Sequence, residues 1–259
     1  QLDHAIDGLT QPFDLTRGPL LQAGLFSCVS ADAERTLLVI DFHHIAVDGL
    51  SWTLLMQEFM SLYRGETLTA VAAQYSDFAA EEQRYLQSER FVDDQQYWLA
   101  KFAEDLPNLD LPIDFARPRE KSYRGASVRT SIDADTTAAL KQLAQRNQVT
   151  PYMVLLPLFQ LFLAKLSGQS QLVCGTAIAA RPLSGRFDQA IGMFTNTLAL
   201  SCTIPEQISL PAFLQLTKTQ WSQDYDHREY PFEQLIRALK LKQTPDRNPL
   251  FETMFVYEN

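Results

Sequence analysis

The chain is 259 residues long, 46% hydrophobic, and carries 22 lysines and arginines against 31 aspartates and glutamates, a formal charge of −9. At roughly 150 residues per domain this length allows one large or two small units with a real core, and the composition is too apolar for a disordered chain. The acidity gives phosphate backbones no electrostatic footprint, and the longest apolar stretch, Tyr152 to Ala164, is broken by Pro157 and Gln160 and falls short of the ~18 residues of a membrane span.

Three cysteines, Cys28, Cys174 and Cys202, stand far apart without CxxC spacing, which fits a reducing compartment and neither a disulfide scaffold nor a zinc site. These features predict a cytoplasmic protein that binds neither nucleic acid nor membrane. The chain starts without methionine or a signal-peptide pattern and stops just after the apolar run Met254 to Tyr257, so it reads as part of a longer polypeptide.

Along the chain, Pro12 to Pro19 reads as an irregular loop, and Leu20 to Val29 with Thr36 to His43 as a hairpin or a pair of neighbouring strands. Trp52, Leu55, Met56, Phe59 and Tyr63 recur at helical steps, with Ser51 as N-cap and Gly65 just past the end. Helices follow over Tyr75 to Ser88 and Phe91 to Glu104, the second burying Phe91, Tyr97, Trp98 and Phe102. Pro107, Pro112 and Pro118 amid charges mark an extended connection over residues 107–122, which separates a lobe at 1–106 from one at 123–259.

In the second lobe Arg124 to Ile132 alternates as a strand and Asp135 to Arg146 reads as a helix. Thr150 and Pro151 open a further helix that runs to Leu166 and closes at Gly168. Gln171 to Ala179 and Thr197 to Ile204 read as buried strands, Pro211 to Tyr225 as a helix, and Thr253 to Tyr257 as a last strand. Alternating strands and helices give an α/β or α+β class.

The segment that demands chemistry is Asp41 to Trp52, DFHHIAVDGLSW, which holds two of the four histidines. Neighbouring side chains on a strand face opposite ways, so only one of His43 and His44 can look into a cleft. Histidine titrates near neutrality and suits proton removal or positioning. Asp48 can orient the loop through a buried ion pair, and Gly49 can bring a backbone N–H close to a reacting carbonyl, helped by the positive end of the following helix. The plainer reading is two histidines that merely finish a strand. No Gly-x-Ser-x-Gly elbow or local cysteine–base pair supports a nucleophile, and no ligand spacing supports a metal.

HHIAVDG resembles the His-His-x-x-x-Asp-Gly signature of condensation domains from nonribosomal peptide synthetases, relatives of chloramphenicol acetyltransferase. YSDFAAEEQRYL (Tyr75 to Leu86), IGMFTNTLAL (Ile191 to Leu200), HREYPFEQL (His227 to Leu235) and DRNPLFETMF (Asp246 to Phe255) resemble later family motifs in family order, and PFDLTRGPLL and LDLPIDFARP extend the likeness over essentially the whole chain. The resemblance implies an α/β (α+β) two-layer sandwich of two acetyltransferase-like lobes, the first incomplete and the second lacking its last elements.

It also implies amide formation between two thioesters carried on the phosphopantetheine arms of upstream and downstream peptidyl carrier domains, beside an adjacent adenylation domain, with no directly bound cofactor and no metal. His44 matches the histidine that takes or positions a proton of the attacking amine, and His43 its more structural neighbour. Gly49 matches a glycine whose N–H approaches the reacting centre, and Asp48 an aspartate paired with arginine, for which Arg181 is the candidate. Asn196 matches an asparagine near the substrate tunnel, with a backbone-bonding turn residue as the plain alternative. His227 and Glu233 read as structural. Epimerisation, to which the Ser51-Trp52 pair lends some support, and a non-catalytic carrier-binding or partner-recruiting module are the alternatives. Arg117, Arg119, Lys121 and Arg124 are the basic residues that could offset acidity toward a carrier domain.

Overall fold

The computed structural model describes residues 2–29, 34–104, 108–120, 122, 124–182, 184–241 and 245–258. Two compact units divide them: one gathers the chain up to Arg84 together with Arg181–Thr195, the other Tyr85–Ala180 with the chain from Asn196 onward.

The first unit begins with α1 (Leu2–Leu9), a short helix absent from the sequence reading, packed on β1 (Leu21–Val29). β1 pairs antiparallel with β2 (Glu34–Phe42) in one unbroken register from Leu21↔Phe42 to Val29↔Glu34. Outward-facing Leu21 and Leu25 alternate with half-buried Gln22, Gly24 and Phe26, the period-two pattern of a sheet covered on one side. β2 stops at Phe42, and a 3-10 turn over His44–Ala46 leads into α2 (Gly49–Tyr63).

The cap of α2 is Asp48, whose carboxylate accepts the Ser51 N–H. This corrects the assignment of Ser51, which lies one turn inside and is fully buried. α3 (Tyr75–Tyr85) follows, and Phe78 packs with buried Ala73, Phe187, Ala190 and Phe194 as this unit's aromatic core.

In the second unit α4 (Glu89–Lys101) starts from a Ser88 cap and buries Trp98 completely. α5 (Ala134–Arg146) and α6 (Pro151–Ser167) have Asp133 and Thr150 as caps, and α6 ends at Gly168, whose φ of 70° suits a residue without a side chain. β3 (Gln171–Ala179) and β4 (Thr195–Thr203) form a two-stranded sheet, and α7 (Leu210–Asp226) and α8 (Phe232–Ala238) complete the unit. Leu156, Val173, Leu198, Leu200, Tyr230, Leu235 and Phe251 close around Trp98 and Phe102.

Two expected strands are not formed. Arg124 to Ile132 is extended without strand pairing, with Val128 97% exposed, because alternation makes a strand only where a neighbour takes its backbone hydrogen bonds. Thr253 to Tyr257 contributes a single parallel bridge, Met254 to Gly175, held by Gly175 N–H to Thr253 O at 2.8 Å and Phe255 N–H to Gly175 O at 2.9 Å. The expected lobe boundary at 107–122 does not coincide with the division into units, since α4 is tied by Tyr97, Trp98 and Lys101 to the end of α7 and Arg181–Thr195 joins the first unit. Residue 107 itself and Lys121 lie outside the described residues. Among the described residues no single helix is long and apolar enough to cross a membrane; α5 and α6 reach that length only together and meet at 105°.

Candidate active site

The DFHHIAVDG segment runs from the end of β2 through the 3-10 turn at His44–Ala46 to the first residue of α2. His43 N–H donates to Leu20 O at 3.1 Å, and the His43 ring nitrogen Nδ1 accepts the Ile45 N–H at 3.1 Å, so His43 caps the 3-10 turn. Phe13 meets its ring edge-on at 6.1 Å. Neither histidine lies on the strand, so they differ in role through the turn and not through strand alternation.

His44 Nδ1 lies 2.9 Å from Val47 O. A carbonyl only accepts, so Nδ1 carries the proton, and in the neutral ring Nε2 keeps its lone pair on an exposed side chain. That is the tautomer a proton acceptor needs.

Asp48 is 4% exposed. Its Oδ1 accepts the Ser51 N–H at 2.8 Å and its Oδ2 the Phe194 N–H at 3.0 Å, while its own N–H donates to Gly192 O at 3.1 Å. Arg181 is 7% exposed and places Nη2 3.5 Å from Asp48 Oδ1, completing the expected pair at the long end of contact. The guanidinium is better held elsewhere: Nη2 donates to Ser51 Oγ at 2.9 Å, Nη1 to Phe187 O at 2.6 Å and Ala190 O at 2.8 Å, and the Phe194 ring lies 3.8 Å from its centre. One arginine thus draws residues 184–194 into a strap around itself. Ser51 Oγ also donates to Gly192 O at 2.8 Å and accepts the Gly192 N–H at 3.0 Å.

Gly192 has no room for a side chain, since a Cβ there would stand 2.1 Å from the Tyr75 ring, whose hydroxyl is fixed on Met193 O at 2.9 Å. Gly49, by contrast, is exposed, with open space where a Cβ would stand. The first N–H groups of a helix have no intrahelical partner, so the start of α2 offers donors to a ligand oxygen.

Asn196 belongs to the second unit. Its Nδ2 donates to Arg228 O and Tyr230 O, both at 2.8 Å, and its Oδ1 accepts Thr197 N–H at 2.8 Å and Phe232 N–H at 3.3 Å. All of its polar capacity goes to backbone, so the side chain is a bracket between β4 and the HREYPF segment; it lies in a strand and reaches distant backbone, unlike the turn residue of the plainer alternative.

His227 is also bound internally, with Nδ1 2.6 Å from Asp94 Oδ1 and its ring stacked on Tyr97 at 3.9 Å. Tyr85 donates to Asp94 at 2.7 Å, and Tyr97 and Lys101 converge on Asp224 Oδ1. Burial, then the bond to Asp94, pushes the Tyr85 phenol far above its usual range, and burial raises Asp224 despite Lys101. Of the basic residues near the linker, Arg117 is paired with Glu252, which also takes Arg247, while Arg119 and Arg124 remain exposed. Among the described residues no group of three His, Cys, Asp or Glu side chains forms a metal-binding set.

Gly192 and Asp94 were not singled out in sequence, and Ser51 was read there only as an N-cap and as half of the Ser51-Trp52 pair. Ser51 and Gly192 are 141 positions apart, and no local spacing rule links them.

A family model described as Condensation domain matches residues 1–259. Tyrocidine synthase 3 of Brevibacillus parabrevis is 42% identical over 100% of the chain, which spans 4% of that protein. In structure, a four-domain nonribosomal peptide synthetase crystallised with AMP and glycine matches with a TM-score of 0.83 and 25% identity over 99% of this chain and 19% of its own. The condensation domain of the Monacolin K polyketide synthase matches at 0.84 and 21% over 98% of this chain and 60% of its own. The chain, with HHIAVDG in its first unit, therefore belongs to the condensation-domain family of nonribosomal peptide synthetases.

Proposed function

We propose that the chain forms amide bonds between two carrier-bound thioesters, the amine of an acceptor aminoacyl thioester attacking the carbonyl of a donor acyl or peptidyl thioester. A C–N bond forms and a C–S bond breaks; the amine gives up a proton and the departing thiol gains one, so the step needs no redox partner. The observation that carries the reading is the exposed His44 ring, whose Nδ1 is committed to Val47 O and whose Nε2 is left to accept.

Free α-amines titrate near ~8, so a neutral imidazole can either take the proton or hold the amine in its attacking geometry. The N–H groups of Gly49 and Leu50, ahead of the Ser51 N–H that Asp48 accepts, are the donors at the start of α2 for the charge that develops on the carbonyl oxygen. His43 and Asp48 hold the turn. The donor and acceptor arrive on phosphopantetheine arms of peptidyl carrier domains beside an adenylation domain, and the chain brings no metal or cofactor of its own to the step.

The test is a full-length polypeptide carrying this chain, supplied with donor and acceptor carriers loaded with substrate. Amide product should form, and His44→Ala should slow it by about 10²-fold or more. Full rate in the alanine form would refute the role of His44, and solvent deuterium uptake at the α-carbon without amide would favour epimerisation.

A further inference from the structure

The Val47–Asp48 peptide faces two ways. Its carbonyl accepts from His44 Nδ1 at 2.9 Å, and its N–H, that of Asp48, donates to Gly192 O at 3.1 Å. The same Gly192 carbonyl accepts the Ser51 hydroxyl at 2.8 Å, and that hydroxyl accepts from Arg181 Nη2 at 2.9 Å and Gly192 N–H at 3.0 Å. One hydrogen-bonded line therefore runs from the Arg181 guanidinium through Ser51, Gly192 and a single peptide unit to the imidazole. Ser51 is the junction: one donor and two acceptor sites, all three occupied, on a residue that is 0% exposed.

We propose that Ser51 is a positioning residue for His44, fixing the plane of the Val47–Asp48 peptide and through it both the tautomer and the aim of the imidazole. The argument is geometric. Asp48 by itself caps α2 and would do so with the peptide plane tilted either way; what sets the tilt is where Gly192 O stands, and Gly192 is gripped at both its N–H and its C=O by one hydroxyl. The Arg181 bond polarises that hydroxyl, making it a stronger donor to Gly192 O, and that oxygen, held by the hydroxyl on one lone pair, presents the other to the Asp48 N–H. On the far side, the Tyr75 ring closes off the space beside Gly192, so the strap cannot retreat.

The part that concerns turnover rests on the proposed role of His44, whereas the tautomer linkage does not, and the experiment separates them. The imidazole nitrogens of His44 are followed by 15N NMR in the chain labelled at histidine, and kcat and KM are measured in the full-length polypeptide with loaded carriers. Wild type should show protonated Nδ1 and unprotonated Nε2. Ser51→Ala should shift His44 toward a mixture of tautomers and lower kcat about 10- to 100-fold, the scale of a misplaced reacting group, with KM for the carriers little changed. Ser51→Thr, which keeps the hydroxyl, should restore the wild-type tautomer.

Should Ser51→Ala not fold, Ser51→Cys, of similar size but only a weak donor, gives the same readout: a shifted tautomer supports the line and an unshifted one overturns it. Folded Ser51→Ala with a wild-type His44 tautomer and wild-type kcat overturns the proposal. A shifted tautomer together with full turnover in His44→Ala would keep the linkage and refute the role of the histidine.

Discussion

Replacing Asp48 with alanine removes, in one truncation, the acceptor of two buried backbone donors and the counter-charge of a buried guanidinium. Ser51 N–H loses its partner at 2.8 Å, Phe194 N–H its partner at 3.0 Å, and Arg181 the carboxylate at 3.5 Å. Each stranded buried donor costs about 1–3 kcal/mol, and breaking a buried ion pair from one side about 3–5 kcal/mol. The charge contribution falls at the low end, because Arg181 keeps Phe187 O, Ala190 O and Ser51 Oγ and its contact with Asp48 is long. The expected destabilisation is therefore about 3–5 kcal/mol in all and not the sum of three separate losses. Asp48→Asn should cost about 1–3 kcal/mol, since one amide oxygen can serve Ser51 and Arg181 while the NH2 confronts Phe194 N–H.

For a chain of this size about 1 kcal/mol moves the melting temperature by roughly 2–4 °C, so the alanine variant should melt about 6–20 °C below wild type. Hydrogen exchange supplies the local check, with the Ser51 and Phe194 amides losing protection first. An alanine variant within about 1 kcal/mol of wild type, with both amides still protected, would show that Arg181 and Ser51 hold the strap without Asp48.

Three further outcomes follow from the geometry. Asn196→Asp puts a carboxylate against Arg228 O and Tyr230 O and should destabilise more than Asn196→Ala; denaturant midpoints at neutral pH check it, and the reverse order would refute the bracket. Burial holds the Asp224 carboxyl above its ordinary 3.8, so the stability it contributes is full below that value and is lost as pH rises through the raised folded pKa. Wild-type stability relative to Asp224→Asn should accordingly fall with rising pH above 3.8, and a difference that grows with pH would contradict the assignment. Burial pushes the Cys174 thiol up to about 11 and Cys202 up to about 12, so at pH 8 both should resist iodoacetamide until the chain unfolds, as peptide mass spectrometry would show. Alkylation of either in the folded chain at the rate of a free thiol would contradict their burial.

What the sequence made legible is what local chemistry decides. Thr150 before Pro151 and Gly168 at the far end bracket α6 as capping rules require, and the helical spacing of Trp52 to Tyr63 locates α2 to within three residues at its start. The first cap was misplaced because aspartate and serine are both good caps, and the choice turned on Ser51 being consumed by a partner 141 residues away. Arg124 to Ile132 failed for a related reason: its alternation is real, but a strand is a pair property and the described residues provide no partner. α1 was missed because eight residues supply scarcely two turns of periodicity.

The site divides along the same line. Arg181 was legible as a partner for Asp48 through family resemblance, which carries long-range information that periodicity lacks, whereas nothing pointed from Ser51 to Arg181, and it read as an N-cap and as half of the Ser51-Trp52 pair. Yet the distances rank them the other way, with Arg181 at 2.9 Å from Ser51 and 3.5 Å from Asp48. A carboxylate that also caps a helix and anchors Phe194 N–H cannot turn both oxygens toward one guanidinium; its geometry is spent on backbone, and the serine takes the arginine's better bond. The signature's aspartate and the serine three residues later therefore act together at the first turn of α2. Any change that frees one of them must be judged by what the other is left holding.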